Sequence, residues 1–377
     1  VYLSIDLDLQ RIATQALEGR RGALVAIDPQ NGEILALVSA PAFDPNLFAV
    51  GMSTAQYREL SENPDRPLFN RAVRGAYPPG STIKPMLALA ALEKNATNLT
   101  RKTVCHGYFQ LPNDDHRYRD WKPEGHGPVD LHDAIAQSCD VYFYEISGDI
   151  GIDTMHDYLT RFGLGSETGV DIGGESSGLV PSREWKRNNF SDRDNQRWYH
   201  GETVIVSIGQ GYMLATPLQL ASAAAALATR GKRYRPHMIA AVEDALTGER
   251  RMVQPERLPD VEISNDFYWE NVLGAMHDVM QGPRGTARAV GFGAPYEMAG
   301  KSGTAQVVSI AQDEKYDDAE LEERQRDHAL FIAFAPLDEP RIAVALIVEN
   351  GESGSGVAAP IAKAVMDAYL GYGDDAP

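Results

Sequence analysis

Cysteine, lysine and long apolar runs are all scarce in this chain, and each scarcity excludes something. Cysteine occurs twice in 377 residues, at Cys105 and Cys139. Two thiols cannot build the disulfide framework on which small secreted scaffolds depend. No apolar run approaches the roughly 18–20 residues of a membrane-spanning helix. The nearest, Leu218 to Ala228, is short, Ala-rich and bounded by Pro217 and Gly231, so it reads as a buried helix. Positive charge is also short: 35 Lys and Arg face 53 Asp and Glu, a formal charge of −18. So acidic a chain repels phosphate backbones, and no nucleic-acid partner is expected. No secretory signal, internal repeat or low-complexity tract is present. The chain starts at Val1 inside a strand-like phrase and reads as a fragment of a longer protein.

What is there is ordinary for a folded protein: 43% hydrophobic and 23% charged residues, enough for one large domain or two smaller ones. Gln10–Glu18 has helical spacing. Ala23–Ile27 and Ile34–Val38 flank Asp28-Pro-Gln-Asn-Gly32, a hairpin signal. Residues 41–80 look irregular, and a helix should begin near Ser81 and run to about Lys94. The spacing predicts a polar loop over 100–130, one helix over Leu131–Ile150, another over Met155–Phe162, and turns over Gly163–Ser182. Pro217–Thr229, Phe267–Met280 and Ile361–Leu370 read as helices; Glu297–Val308, Ala329–Ala335 and Ile342–Val348 read as strands. Strands at both ends with helices between predict an α/β (α+β) domain whose sheet joins distant segments, 23–40 and 297–350, around a helical part over about 81–280. The highly charged stretch Asp313–Arg326 is expected to be a mobile loop.

Three short motifs carry chemistry. In Ser81-Thr-Ile-Lys84, serine and lysine share a face at a helix start. Serine becomes a useful nucleophile when a base takes its proton, and a buried lysine can be that base. A solvated surface pair is the bland alternative. Ser138-Cys-Asp140 sits near another helix start, where serine or aspartate commonly serves only as a cap. Lys301-Ser302-Gly303-Thr304 lies in a strand-like stretch. Gly303 weakens that strand and asks for a close approach as its reason.

In this order and these contexts, the three motifs match the S-x-x-K, S-D-N and K-T-G set of serine acyl-transfer enzymes, with Asp140 standing in place of the Asn. With Tyr77-Pro-Pro-Gly-Ser-Thr-Ile-Lys84, Gly209-Gln-Gly-Tyr, Thr216-Pro-Leu-Gln-Leu-Ala221 and Ala299-Gly-Lys-Ser-Gly-Thr-Ala305, the sequence resembles the transpeptidase domain of class B penicillin-binding proteins. Asp140, where other members have Asn, looks like the elongation-type group, penicillin-binding protein 2. The resemblance implies the fold of penicillin-binding proteins and serine β-lactamases: a central, mainly antiparallel sheet flanked by helices, plus an all-helical subdomain. The opening Ser4–Gln10 looks like an entry strand, so residues 1–22 are expected to lead in as strand and helix from an N-terminal pedestal and 23–372 to form the transpeptidase domain.

The implied reaction is D,D-transpeptidation of peptidoglycan stem peptides ending in D-Ala-D-Ala, through a Ser81 acyl-enzyme that β-lactams also form. Lys84 would accept the serine proton, and Ser138 and Lys301 would relay one to the leaving amine. The N–H groups of Ser81 and Thr304 would form the oxyanion hole. Ser302, Gly303 and Thr304 would hold the substrate beside Lys301. No cofactor is implied for the chemistry. Asp140 adds a negative charge that favours protonated lysines, which bears on the base role of Lys84. The implied partners are a SEDS-family glycosyltransferase and elongation-complex scaffold proteins. The implied location is the periplasm, on a bacterial inner-membrane protein. A serine β-lactamase and a catalytically silent binding or scaffold module are the competing readings.

Both cysteines and several histidines crowd into 105–139. Cys105, Asp120, His126 and Cys139 offer thiolate, carboxylate and imidazole suited to tetrahedral Zn2+. Related elongation-type proteins look to carry zinc here, with Cys105 taking the place of an Asp. A Cys105–Cys139 disulfide and a free buried thiol at Cys139 stay open. His106, His116 and His132 read as surface residues or backup ligands.

Overall fold

The computed structural model describes residues 1–308 and 321–373. Its centre is a five-stranded antiparallel sheet of β1 (Gly22–Ile27), β2 (Ile34–Ala40), β3 (Ala299–Ala305), β4 (His328–Ala335) and β5 (Ile342–Val348). The order is β3-β4-β5-β1-β2, so the two ends of the chain meet where β5 pairs with β1. Helix α5 (Pro217–Ala228) packs on one face, and α1 (Leu7–Ala16) with α7 (Ala359–Leu370) on the other. Cover on both faces explains why β1 and β5 are buried at every position and read as unbroken apolar runs.

The opening phrase corrects the strand expectation. Only Tyr2–Leu3 is strand, paired with Ile239–Glu243, and Asp6 then caps α1 by accepting from the N–H groups of Asp8 and Leu9. The Gln10 amide caps edge strand β2 at Leu37, donating to its carbonyl (2.9 Å) and accepting from its N–H (2.8 Å). That contact blunts an edge that would otherwise invite pairing.

The helical part contains α2 (Lys84–Glu93), α3 (Leu131–Ala136), α4 (Asp140–Ile150) and α6 (Asp266–Gln281). Helix α2 is buried from Lys84 through Leu92, the mark of a helix enclosed on all sides. Four expectations change. The helix at Ser81 opens with a 3-10 turn, Gly80–Ile83, and turns α only at Lys84. The single helix over 131–150 is broken, because Ser138 takes φ +58° between α3 and α4. Residues 41–80 hold three short helices, Asn46–Val50, Thr54–Ser61 and Arg71–Arg74. The 100–130 loop is built on two small hairpin-like pairs, Thr103–Cys105 with Gly127–Val129 and Tyr108–Gln110 with Arg117–Arg119. Elements this short carry too few periods to show in a hydrophobic pattern.

Of the charged stretch 313–326, residues 313–320 lie outside the described residues. Its far end is tied down: Glu323 pairs with Arg21 (2.8 Å), Arg324 with Asp65 (2.6 Å) and Arg326 with Glu352 (2.7 Å). No helix among the described residues is long and apolar enough to cross a membrane.

Candidate active site and metal centre

Ser81 stands in the 3-10 turn, half-buried, just after Gly80. Gly80 has φ +55°, and a Cβ there would sit 2.5 Å from the carbonyl oxygen of Thr304. Only glycine meets both demands. One turn on, the Lys84 side chain runs into the interior and is wholly buried. Its ammonium donates to the Ser138 carbonyl (2.9 Å) and to Asp140 Oδ1 (2.7 Å), and lies 3.5 Å from Ser138 Oγ. The Phe143 ring, 5.3 Å away, closes the site behind it. The left-handed turn at Ser138 is what aims both of that residue's oxygens at Lys84.

Lys301 reaches the same interior from β3. It is wholly buried and donates to the Ser302 carbonyl (3.0 Å), with no carboxylate partner among the described residues. Burial, and then the charge of Lys84, push its amine well below the ordinary lysine value. Burial pushes the Asp140 carboxyl up, against the pull of Lys84. Two buried amines thus meet in one interior, Lys84 paired with Asp140 and Lys301 only within its electrostatic reach.

Strand alternation sorts the third motif. Gly303 faces the Ser81 turn so closely that a Cβ would meet Thr82 Cγ2 at 2.8 Å and the Pro79 carbonyl at 2.9 Å. Ser302 is buried with its hydroxyl 3.0 Å from Thr286 Oγ1, while Thr304 is exposed. The structure therefore brings Ser81, Lys84, Ser138, Asp140 and the 301–304 strand to one place.

The four expected metal-site residues also converge. The ligand atoms of Cys105, Asp120, His126 and Cys139 all lie within 4.8 Å of one another. Both cysteines are free thiols. Burial pushes both thiols up and the His126 imidazole down. Both ring nitrogens of His126 are buried without a hydrogen bond, although Nε2 is 3.4 Å from Asp120 Oδ1. An orphaned imidazole beside two thiols and a carboxylate is a donor set that fits a tetrahedral metal ion. Asp120 has a second duty. Its Oδ2 accepts from the N–H groups of Asp140 (2.8 Å) and Val141 (3.2 Å), pinning the start of α4.

Sequence reasoning gave several contributors no role in the site. Trp121, largely exposed, donates from its backbone N–H to Asp140 Oδ2 (3.2 Å) and from its indole to the Gln137 carbonyl (3.1 Å). Gln210 donates to the Thr304 carbonyl (2.9 Å), and Gly209 accepts from the Gly80 N–H (2.9 Å). Thr286 carries no sequence signal at all.

The family model of the penicillin binding protein transpeptidase domain matches residues 22–367. The peptidoglycan D,D-transpeptidase MrdA of Acinetobacter baumannii is 49% identical over 374 residues, covering 98% of this chain and 54% of the relative. The chain thus spans about half the length of the curated relatives it matches. The crystal structure of Pseudomonas aeruginosa PBP2 in complex with WCK 5153 superposes with TM-score 0.87 at 50% identity, covering 98% of this chain and 75% of that one. The Helicobacter pylori PBP2 solved as a complex with MreC gives TM-score 0.83 at 33% identity, covering 98% of this chain and 64% of that one.

Proposed function

As this chain belongs to the penicillin-binding protein transpeptidase family, in its class B elongation-type branch, we propose that it cross-links peptidoglycan stem peptides as a D,D-transpeptidase acting through Ser81. One observation carries the reading: three motifs far apart in sequence meet around the buried Lys84, with Ser81 at the accessible end.

In this reading Ser81 Oγ attacks the carbonyl of the penultimate D-alanine. The C–N bond to the terminal D-alanine breaks, and an ester on Ser81 forms. Lys84 takes the serine proton, so its own must first move on. Asp140, 2.7 Å away and pushed up by burial, is placed to receive it. Ser138 and Lys301 return a proton to the departing amine. The N–H groups of Ser81 and Thr304 face the developing oxyanion. Ser302, Gly303 and Thr304, with the Lys301 amine, hold the substrate's terminal carboxylate. The amine of a second stem then attacks the ester and frees Ser81. A β-lactam enters the same path and stalls as an adduct.

Cys105, Asp120, His126 and Cys139 would hold a structural Zn2+. Such an ion supplies a crosslink between the 105–126 hairpins and the start of α4, bracing Ser138 and Asp140. The reading places the domain in the periplasm, on an inner-membrane protein, because stem peptides lie outside that membrane. Its partners are then a SEDS-family glycosyltransferase and elongation-complex scaffold proteins; the MreC complex of the H. pylori relative supports the latter.

Intact-mass measurement after mixing with a penicillin tests the reading on wild type and Ser81→Ala. A single adduct that persists for many minutes and is absent in Ser81→Ala is expected. Rapid turnover with hydrolysed drug would point to a β-lactamase, and no adduct would reject acylation at Ser81.

A further inference from the structure

Lys186 lies away from the reacting groups, yet it is among the most deeply buried charges in the molecule, only 3% exposed. A desolvated ammonium is costly unless it is paired. This one pairs with Glu202. It also sits among four aromatic rings, 5.1 Å from the centroid of Tyr199, 5.7 Å from Trp198, 5.8 Å from Tyr212 and 5.9 Å from Phe190. Rings at that range add cation–π attraction.

The cage holds a lever. Glu202 belongs to the helix His200–Val206, and its other oxygen accepts from the Tyr199 N–H (2.8 Å). Trp198 is tied to the same helix by its indole N–H, which donates to Thr203 Oγ1 (2.8 Å). The far end of that helix delivers Gly209 and Gln210, whose N–H groups return to the carbonyls of Val206 (2.9 Å) and Ile205 (3.2 Å). Tyr212 then comes back into the cage, so the segment is gripped at both ends. Between the grips, Gly209 accepts from the Gly80 N–H and Gln210 donates to the Thr304 carbonyl, each at 2.9 Å. The approach leaves no slack, since a Cβ on Gly209 would lie 2.2 Å from the Gly80 carbonyl.

We propose that Lys186 is a positioning residue: through Glu202 and the ring cage it sets the 200–212 segment, and through Gly209 and Gln210 it sets the peptides beside the Ser81 and Thr304 N–H groups. The inference rests on acyl transfer at Ser81. A half-ångström drift of either peptide misaims an oxyanion donor, which costs about tenfold in rate.

The test is the acylation rate constant with a chromogenic β-lactam, per titrated active site, for Lys186→Met, Lys186→Arg, Gln210→Ala and the double variant Lys186→Met/Gln210→Ala. Lys186→Met fills the cage without charge. It is expected to slow acylation about tenfold while the non-covalent binding constant stays within about twofold. Lys186→Arg recovers most of the rate. Because both residues act along one strut, the double variant is expected to be no slower than the worse single one. A Lys186→Met rate within twofold of wild type, or multiplicative losses in the double variant, overturns the proposal. If Lys186→Met shows no cooperative melt, Glu202→Gln, which keeps the cage and the side-chain volume, enters the same cycle under the same criteria. A wild-type protein that forms no Ser81 adduct would instead reject the acyl-enzyme reading, and this inference with it.

Discussion

Replacing Gly303 with alanine tests how tightly β3 is clamped to the Ser81 turn. The added Cβ would meet Thr82 Cγ2 at 2.8 Å and the Pro79 carbonyl at 2.9 Å, against ordinary contact from 3.4 Å. Relief requires strand and turn to part by about half an ångström. Thr82 cannot rotate its methyl away freely, because its hydroxyl donates to that same Pro79 carbonyl at 2.7 Å. The strand cannot retreat either: on its other side the backbone at Gly354 is packed so closely that a Cβ there would lie 2.4 Å from the Gly303 carbonyl. Overpacking of this kind costs about 1–3 kcal/mol. Because a misplacement near 1 Å costs about a hundredfold, half of that predicts about a tenfold loss in acylation rate. Thermal unfolding and stopped-flow acylation with a chromogenic β-lactam read the two effects separately. A variant that melts within one degree of wild type and acylates within twofold would refute the clamp.

Asp140→Ala leaves Lys84 buried beside two oxygens of Ser138 and no carboxylate. It should cost about 3–5 kcal/mol in denaturant unfolding, and a loss below about 1 kcal/mol would show that the pair is not desolvated. Elemental analysis of protein grown with zinc should find about one ion per chain, and chelation should lower the melting temperature by several degrees, with Cys139→Ser behaving like the stripped wild type. Metal-free wild type that melts like the untreated protein would reject the site. Glu349 accepts from Arg71 (2.8 Å) and the Tyr77 hydroxyl (2.7 Å); burial works to raise its carboxyl, and these partners hold it below the ordinary range. Its folded state therefore binds its proton later than the unfolded chain, so the stability it contributes is present above the ordinary carboxylate value and lost as pH falls through the folded one. Glu349→Gln should cost about 3 kcal/mol at neutral pH, with the gap to wild type closing in acid; a gap that is constant with pH would reject the linkage.

The elements legible in the sequence were the ones with several periods of pattern. The β1–β2 hairpin around Gly32, the Ala-rich α5, α6, and the apolar runs of β4 and β5 each repeat their signal often enough to stand alone. The motifs proposed as catalytic were legible for a different reason. Chemistry demands particular residue types at particular offsets, so Ser81, Lys84, Ser138 and Lys301 stand out without knowledge of what they touch. The four clustered donor residues, Cys105, Asp120, His126 and Cys139, were legible from donor type and crowding.

Tertiary structure decided the rest, because burial and close approach are properties of segments distant in sequence. Nothing local announces that Ser138 leaves the helix at φ +58° and turns its oxygens to Lys84, since serine has no intrinsic preference for that conformation. The two motif lysines read alike in sequence. Only the fold gives Lys84 a carboxylate and, among the described residues, leaves Lys301 a carbonyl partner alone; burial, and then the charge of Lys84, depress the Lys301 amine. Gly303 asked for a reason that the sequence could not name; Pro79 and Thr82 supply it across more than two hundred residues of chain. The sequence by itself thus determined which chemistry the residues could perform, and the packing determined which of them are buried, clamped and aimed.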